Sequence, residues 1–360
     1  MTRSSAREPR LPPRYEVERA LGKGGGGEVW AARDRITGGE VAVKVLGEGA
    51  HEREALALVR EAVALSGVEG LGVPRVLRFG RLAGSRRAYL VRELVEGQSL
   101  AERMEAGDDA ELLLGALAMA TDQVTRLHRA LLLHGDLKPA NIIVSDAGRA
   151  TLVDLGLAAT WREGGAKPEG LTPRYAAPEL FRGAPLTVRA EVFALGATLG
   201  ELLGAAKGLS PARRAALEAV VLRAAADDAA SRYPSADEFA SALRRAAGLK
   251  PEADAPFGIV WPVVGLDAQS ARLSARIAAL PRGGGLVLTG PHGSGRTTVL
   301  RRAAWSLGVQ GASIAWVESP GERAREEIDL ELAERASPPG DRAARRGVKR
   351  ARPERLYSPA

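Results

Sequence analysis

The 360-residue chain reads as an α+β protein followed by an incomplete α/β phosphate-loop segment. Three stretches predict this. The first is His134-Gly135-Asp136-Leu137-Lys138-Pro139-Ala140-Asn141, followed by a strand-like Ile142-Ile143-Val144, a turn at Asp146-Ala147-Gly148, and Asp154-Leu155-Gly156. The second is a glycine-rich run over residues 21–29 with an apolar strand at 41–46. The third is a late glycine loop over residues 290–297 that follows a short apolar stretch and precedes a helical run.

In the glycine-rich run, Gly22, Gly24 and Gly27 leave room for backbone amides to approach phosphate oxygens that any side chain would obstruct. In the next strand, period-two alternation puts Ala42 and Lys44 on one face and Val41, Val43 and Val45 on the other. A lysine inside an apolar strand needs an anion, and the helix that follows offers Glu61. In the central stretch, Asp136, Lys138 and Asn141 fall within six residues, with Asp154 beyond a strand. Phosphoryl transfer needs such a set. One carboxylate orients the attacking hydroxyl, a cation screens the moving phosphate, and an amide with a second carboxylate holds magnesium.

The order G-x-G-x-x-G-x-V, then a strand lysine, then H-x-D-x-x-x-x-N and D-L-G resembles the protein kinase family. It resembles the Ser/Thr branch, where Lys sits two residues after the catalytic Asp. The resemblance runs over residues 15–247 and implies a bilobal protein kinase fold: a small β-rich lobe over 15–96 and a larger helical lobe over 97–247. It implies ATP with Mg2+ or Mn2+ as cofactors and Ser/Thr hydroxyls of proteins as acceptors. Leu21, Val29, Ala42 and Ile143 would sandwich adenine, and Gly22, Gly24 and Gly27 would cover the phosphates. Lys44, held by Glu61 rather than by Glu52 or Glu54, would pair the α- and β-phosphates. Backbone groups near Glu93 and Val95 would bond adenine at the hinge. Asp154 and Asn141 would hold the metal, Asp136 would orient the acceptor hydroxyl, and Lys138 would steady the γ-phosphate. Thr172 through Glu179 resembles the segment that ends the activation loop, with Arg232 placed to pair Glu179, and residues 192–196 read as the buried central helix.

Several positions depart from the family pattern. Arg92 stands before the hinge Glu93 and should narrow the back of the adenine pocket. Gly135 replaces the arginine that grips a phosphorylated activation loop, so activity is expected not to depend on such phosphorylation. Between Asp154 and Glu179 only Thr160, Thr172 and Tyr175 carry hydroxyls, and Thr172 is expected to contact the catalytic Asp. Glu191 replaces the Asp that anchors the catalytic loop; the extra methylene is either absorbed or loosens that loop. Leu155 is expected to stack with His134, Leu65 and Leu77. Every group that touches nucleotide or metal is present, so transfer is favoured over an ATP-binding pseudokinase.

Composition points to a cytoplasmic enzyme. There is no cysteine, which excludes a disulfide framework, and no apolar stretch reaches the roughly 18–20 residues of a membrane span. Residues 1–14 form a basic, proline-bearing arm without the apolar core of a signal peptide. Of the net charge of +7, residues 341–355 supply +5 from seven basic and two acidic side chains. That is a solvated tail rather than a nucleic-acid surface, and no nucleic-acid or membrane partner is expected. The oligomeric state is left open.

Residues 248–262 read as a proline-bearing linker. Over 263–320, a strand at 286–289 and the loop of Gly290, Gly293, Ser294, Gly295 and Thr297 resemble a partial P-loop ATPase of the kind fused to some bacterial kinases. Arg296 stands where the loop lysine belongs, and its planar fork differs from a compact ammonium. One further strand, 313–317, follows, and residues 321–360 are a basic low-complexity tail. A truncated kinase–ATPase fusion and a degenerate tail both fit, and neither favours hydrolysis at the loop. If that loop were the working part, the chain would be an ATPase regulator with the kinase as its input.

Overall fold

The computed structural model describes residues 9–24, 27–47, 50, 54–55, 58, 62, 73–82, 85, 87–155, 159–160, 171–250, 267–281, 285–291 and 294–309. The first part is an antiparallel sheet of β1 (Tyr15–Gly24), β2 (Gly27–Asp34), β3 (Glu40–Val45), β4 (Val76–Arg81) and β5 (Ala88–Glu93), in the order β1-β2-β3-β5-β4. Alternation along β3 sorts its side chains between two apolar layers. Val41, Val43 and Val45 pack with Tyr15, Ala32, Tyr89 and Val91 on one face. Leu46, Phe79 and Leu90 pack with the helical Leu58 and Ala62 on the other. The turn between β1 and β2 needs glycine at position 27, where φ is +116° and a Cβ would lie 2.4 Å from the Val45 carbonyl oxygen.

The second part is helical. Its elements are α1 (Leu100–Ala106), α2 (Ala110–Arg129), α3 (Pro178–Phe181), α4 (Val188–Ala205), α5 (Pro211–Ala224) and α6 (Ala236–Ala247). The helices start where side chains take up orphan amides: Ser99 and Glu102 form a capping box on α1, Asp109 caps α2, and Thr187 caps α4. Leucines of α2 and α4, among them Leu113, Leu117, Leu195 and Leu199, share one core with Phe239 and Leu243 of α6. Short strands cross this lobe: β6 (Gln98–Ser99), β8 (Ile142–Val144) and β9 (Ala150–Leu152) form one sheet, while β7 (Leu132–Leu133) pairs β10 (Ala159–Thr160). Gln123 of α2 pins β9 from beneath, donating to the Ala150 carbonyl at 2.6 Å and accepting from the Leu152 amide at 2.8 Å.

Two helices follow, α7 (Asp267–Ala278) and α8 (Arg296–Val309). Here the structure corrects the sequence expectation. Residues 285–290 form no strand, and Val287 is 89% exposed. Without a sheet to hold it, the loop over 290–297 lacks the strand–loop–helix frame that a phosphate-binding nest requires. The ATPase-like domain therefore has no support among the described residues. The strand expected at 313–317 and the tail lie outside them, as do the arm over 1–8, Glu61 and most of the linker. Among the described residues no helix is long and apolar enough to cross a membrane.

Candidate active site

The β3–β5 register builds the upper wall of a cleft. Val29 opposes Lys44, Ala31 opposes Ala42, and across the next pair Ala42 opposes Arg92 and Lys44 opposes Leu90. Side chains directly opposite share a face, so Val29, Ala42, Lys44 and Arg92 line one surface. Arg92 is buried there, next to the hinge, as its sequence position implied. Leu21 is part-exposed on β1, and Ile143 is half-buried on β8. Gly22 lies in open space, and Gly24 closes β1. Glu93 and Val95 bracket the exit from β5, where Glu93 bonds Arg75 through both its amide and its carboxylate.

On the sheet side of the cleft, Lys44 Nζ donates to Asp154 Oδ1 at 2.6 Å. Lys44 is buried in an apolar strand, and this carboxylate answers its charge. Burial raises the Asp154 pKa, but the Lys44 charge and hydrogen bond outweigh it, with help from Arg92 and His134, and bring it from 3.8 to about 2. Asp154 also holds a left-handed φ of +63°, an uncommon backbone for a non-glycine residue. Leu155 behind it is fully buried in the main core. Leu77 does not join Leu155, as expected from sequence, but packs on the outer face of the sheet. A bulge between Val76 and Arg78 shifts the alternation, and Val76 packs against the main core instead. Leu65 lies outside the described residues.

On the helical side, both oxygens of Asp136 are engaged. Oδ1 accepts from the Thr172 hydroxyl at 2.8 Å; Oδ2 accepts from Lys138 Nζ at 2.5 Å and Asn141 Nδ2 at 3.1 Å. Asn141 also donates to the Asp136 carbonyl at 2.8 Å, and Lys138 reaches the Thr172 hydroxyl at 3.1 Å. The expected Thr172 contact is thus present. Orientation of this loop comes from residues farther back. The buried His134 receives the Asp136 amide on Nδ1 at 3.3 Å, which makes Nε2 the protonated nitrogen that donates to the Val153 carbonyl at 3.2 Å. One imidazole thereby ties the Asp136 loop to the strand end that leads into Asp154.

Glu191 settles the question of its extra methylene. Its Oε1 accepts the Gly135 amide at 2.7 Å, and its Oε2 meets His128 Nε2 at 2.6 Å, all within the interior. Gly135 has φ of +86°, a conformation that costs glycine little. The carboxylate reaches the loop and is held there by His128, a partner the sequence reading missed. The signal was a histidine in the last turn of α2, 63 residues from Glu191, too far for any local pattern to connect.

The segment closing the cleft is fixed by Arg232, which is fully buried and bidentate to Glu179 at 2.7 and 2.8 Å. Its remaining donors go to the carbonyls of Ala226, Asp227 and Arg189. Beside Asp136 lies a small, open cleft lined by apolar Leu171, Ala176, Leu180 and Leu186 together with polar Thr172 and Tyr175. Tyr175 and Arg174 both bond Glu201 beside it.

A cation fits the residues between the two walls. Magnesium on a nucleotide takes one or two carboxylates or carbonyl oxygens and leaves its other positions to phosphate and water. Asp154 commits only Oδ1 to Lys44, and Asn141 commits its amide nitrogen, which leaves an oxygen on each for a metal. No cluster of three or more His, Cys, Asp or Glu exists among the described residues, so the phosphates must complete any such site.

Comparison with known proteins points to one family. A model of the protein kinase domain matches residues 15–242. The serine/threonine-protein kinase pkn2 of Myxococcus xanthus is 31% identical over 273 residues, 66% of this chain and 33% of pkn2. The DNA damage-responsive serine/threonine-protein kinase RqkA of Deinococcus radiodurans is 32% identical over 197 residues, 52% of this chain and 29% of RqkA. The serine/threonine-protein kinase PknJ of Mycobacterium tuberculosis is 31% identical over 270 residues, 64% of this chain and 45% of PknJ. The chain spans less than half the length of each of these relatives. With the kinase-domain model matched over residues 15–242 of 360, the chain belongs to the protein kinase family.

Proposed function

We propose that the protein transfers the γ-phosphoryl group of ATP to Ser or Thr hydroxyls of protein substrates, in cytoplasmic bacterial signalling. The observation that carries this is the state of Asp136: three donors fix both its oxygens beside an open cleft, while Lys44 and Asp154 pair on the sheet side. Magnesium held by Asp154 and Asn141 would neutralise charge on the phosphates. Lys44 would pair the α- and β-phosphates, with Glu61 as its expected carboxylate. Leu21, Val29, Ala42 and Ile143 would clasp adenine, Gly22, Gly24 and Gly27 would cover the phosphates, and the backbone at Glu93 and Val95 would bond the base. Asp136 would orient the acceptor hydroxyl and take its proton. Lys138, already against Asp136, would follow the γ-phosphate as charge moves.

Support for a protein acceptor comes from the Arg232–Glu179 anchor, which holds the segment over 171–179 as one wall of the cleft. The test is radiolabelled transfer from ATP to a generic basic protein. Asp136→Ala and Lys44→Met are expected to lose activity by at least the roughly 10²–10⁴-fold that a positioned base supplies, with folding unchanged by circular dichroism. Retention of most activity by Asp136→Ala, with the same metal requirement, would remove the proposed catalytic loop from the reaction.

A further inference from the structure

Helix α8 packs against strand β4 of the small lobe and against α7. Its described buried positions are Val299, Ala303 and Leu307, at 6%, 0% and 8% exposure. Residues four apart lie on one helical face, so α8 presents a single apolar stripe while Leu300 stays part-exposed. The face is narrow at its centre. Ala303 has no exposed surface, and α7 adds the buried Ser270 and Ser274, with the Ser274 hydroxyl donating to the Ser270 carbonyl at 3.0 Å. Strand β4 is the edge of the five-stranded sheet. An uncovered edge presents unpaired backbone groups, and a helix laid against it is one way to mask them.

We infer that β4 is a docking surface whose occupant is α8 of the same chain, and that docking holds the small lobe in the arrangement that transfers phosphate; this rests on the kinase reading above. Two connections lead from β4 to the nucleotide groups. Phe79 of β4 pairs Leu90 of β5, and both pack with helical Leu58 and Ala62, the latter adjacent in sequence to Glu61. Val76 of β4 pairs Arg92, one residue before the hinge. A shift of β4 would therefore move both the helix that carries the carboxylate expected at Lys44 and the strand that ends at the hinge. Such packed, hydrogen-bonded chains transmit coupling between sites. Docking supports activity rather than blocking it, because β4 lies at the edge opposite β1 and β2, which carry the glycine-rich turn. Occlusion of nucleotide by α8 has no geometric basis, and stiffening does.

The test uses the full chain with Ala303→Arg, which forces a long cation into the buried face of α8, and Leu300→Arg, which alters the part-exposed side of the same helix. Hydrogen exchange of β4 and β5 amides is measured beside kcat and KM for ATP. Ala303→Arg is expected to lose exchange protection in β4 and to lower kcat/KM by about three- to tenfold, within the range that couplings of this kind give; Leu300→Arg should stay within about twofold. Should Ala303→Arg fail to fold, Leu307→Ala makes the same test with a smaller change in the same direction. Folded Ala303→Arg with unchanged β4 protection and kcat/KM, or with raised kcat/KM, overturns the inference. Asp136→Asn runs alongside. Transfer that survives there counts against the kinase reading, whereas the exchange result judges the docking without any transfer.

Discussion

The chain contains two glycine-rich loops that are close in composition and unlike in structure. The first, over residues 22–27, is the turn of a two-stranded ribbon in which β1 and β2 pair from Tyr15–Asp34 to Gly24–Gly27. The second, over residues 290–297, follows an irregular, exposed stretch and leads into a helix that packs elsewhere. Phosphate binding by backbone amides depends on their being aimed together, and hydrogen-bonded strands do the aiming. One loop has that frame. The other has a helix N-terminus alone, next to Arg296, which is exposed. The same residue type thus closes a hydrogen-bonded strand pair in one region and, among the described residues, follows no strand in the other.

Outside the transfer chemistry itself, the largest effect that sharpens this contrast lies at the buried ion pair anchoring the kinase region. Glu179→Ala leaves the guanidinium of Arg232, fully buried, without its carboxylate. Breaking a buried pair on one side costs about 3–5 kcal/mol, read as a fall in the urea unfolding midpoint. Replacing both residues, Glu179→Ala with Arg232→Met, should recover part of the loss, since no uncompensated charge then remains. Equal loss in the single and double variants would assign the effect to packing instead.

A smaller effect is expected with acid. Asp154 titrates at about 2 in the folded protein against an ordinary 3.8, and Glu179 is likewise held below its usual range by Arg232 once burial is overcome. A depressed carboxylate pKa contributes stability that is present above the ordinary value and lost as pH falls toward the folded value. Thermal midpoints should therefore decline as pH drops from about 4 toward 2, with a flatter decline in Asp154→Asn. Parallel slopes in the two proteins would mean that the Lys44–Asp154 pair does not set this behaviour.

The smallest effect is expected at Thr160. Gly135 offers no side chain to grip a phosphate, and its amide is already held by Glu191. Thr160→Ala and phosphatase treatment should both leave transfer within about twofold. A large drop would point to Arg174 or Arg162 in the missing arginine's place.

Much of the candidate site's local geometry was legible in sequence because its groups come in contiguous runs, Asp136 through Asn141 and Asp154 through Leu155, whose spacing the chain itself enforces. What was not legible depends on distance or on local irregularity. His128 and Glu191 meet across two helices. Val76 takes the place expected of Leu77 because a single bulge reverses which face a residue occupies. The strand at 286–289 looked apolar enough, but a short apolar run becomes a strand only where a neighbouring strand receives its hydrogen bonds. Helix α8 was foreseen as a helix; its seat on β4 was not, since nothing local in the sequence marks a long-range contact.

The most direct test of the central claim compares two substitutions in one assay of protein phosphorylation from radiolabelled ATP. Asp136→Asn keeps the shape of the first region and removes its charge, while Thr297→Ala removes the hydroxyl that a working second loop would need for magnesium. The account predicts that Asp136→Asn loses about 100-fold or more and that Thr297→Ala equals wild type, in ATP turnover as in transfer. Activity that persists in Asp136→Asn and disappears in Thr297→Ala would contradict it.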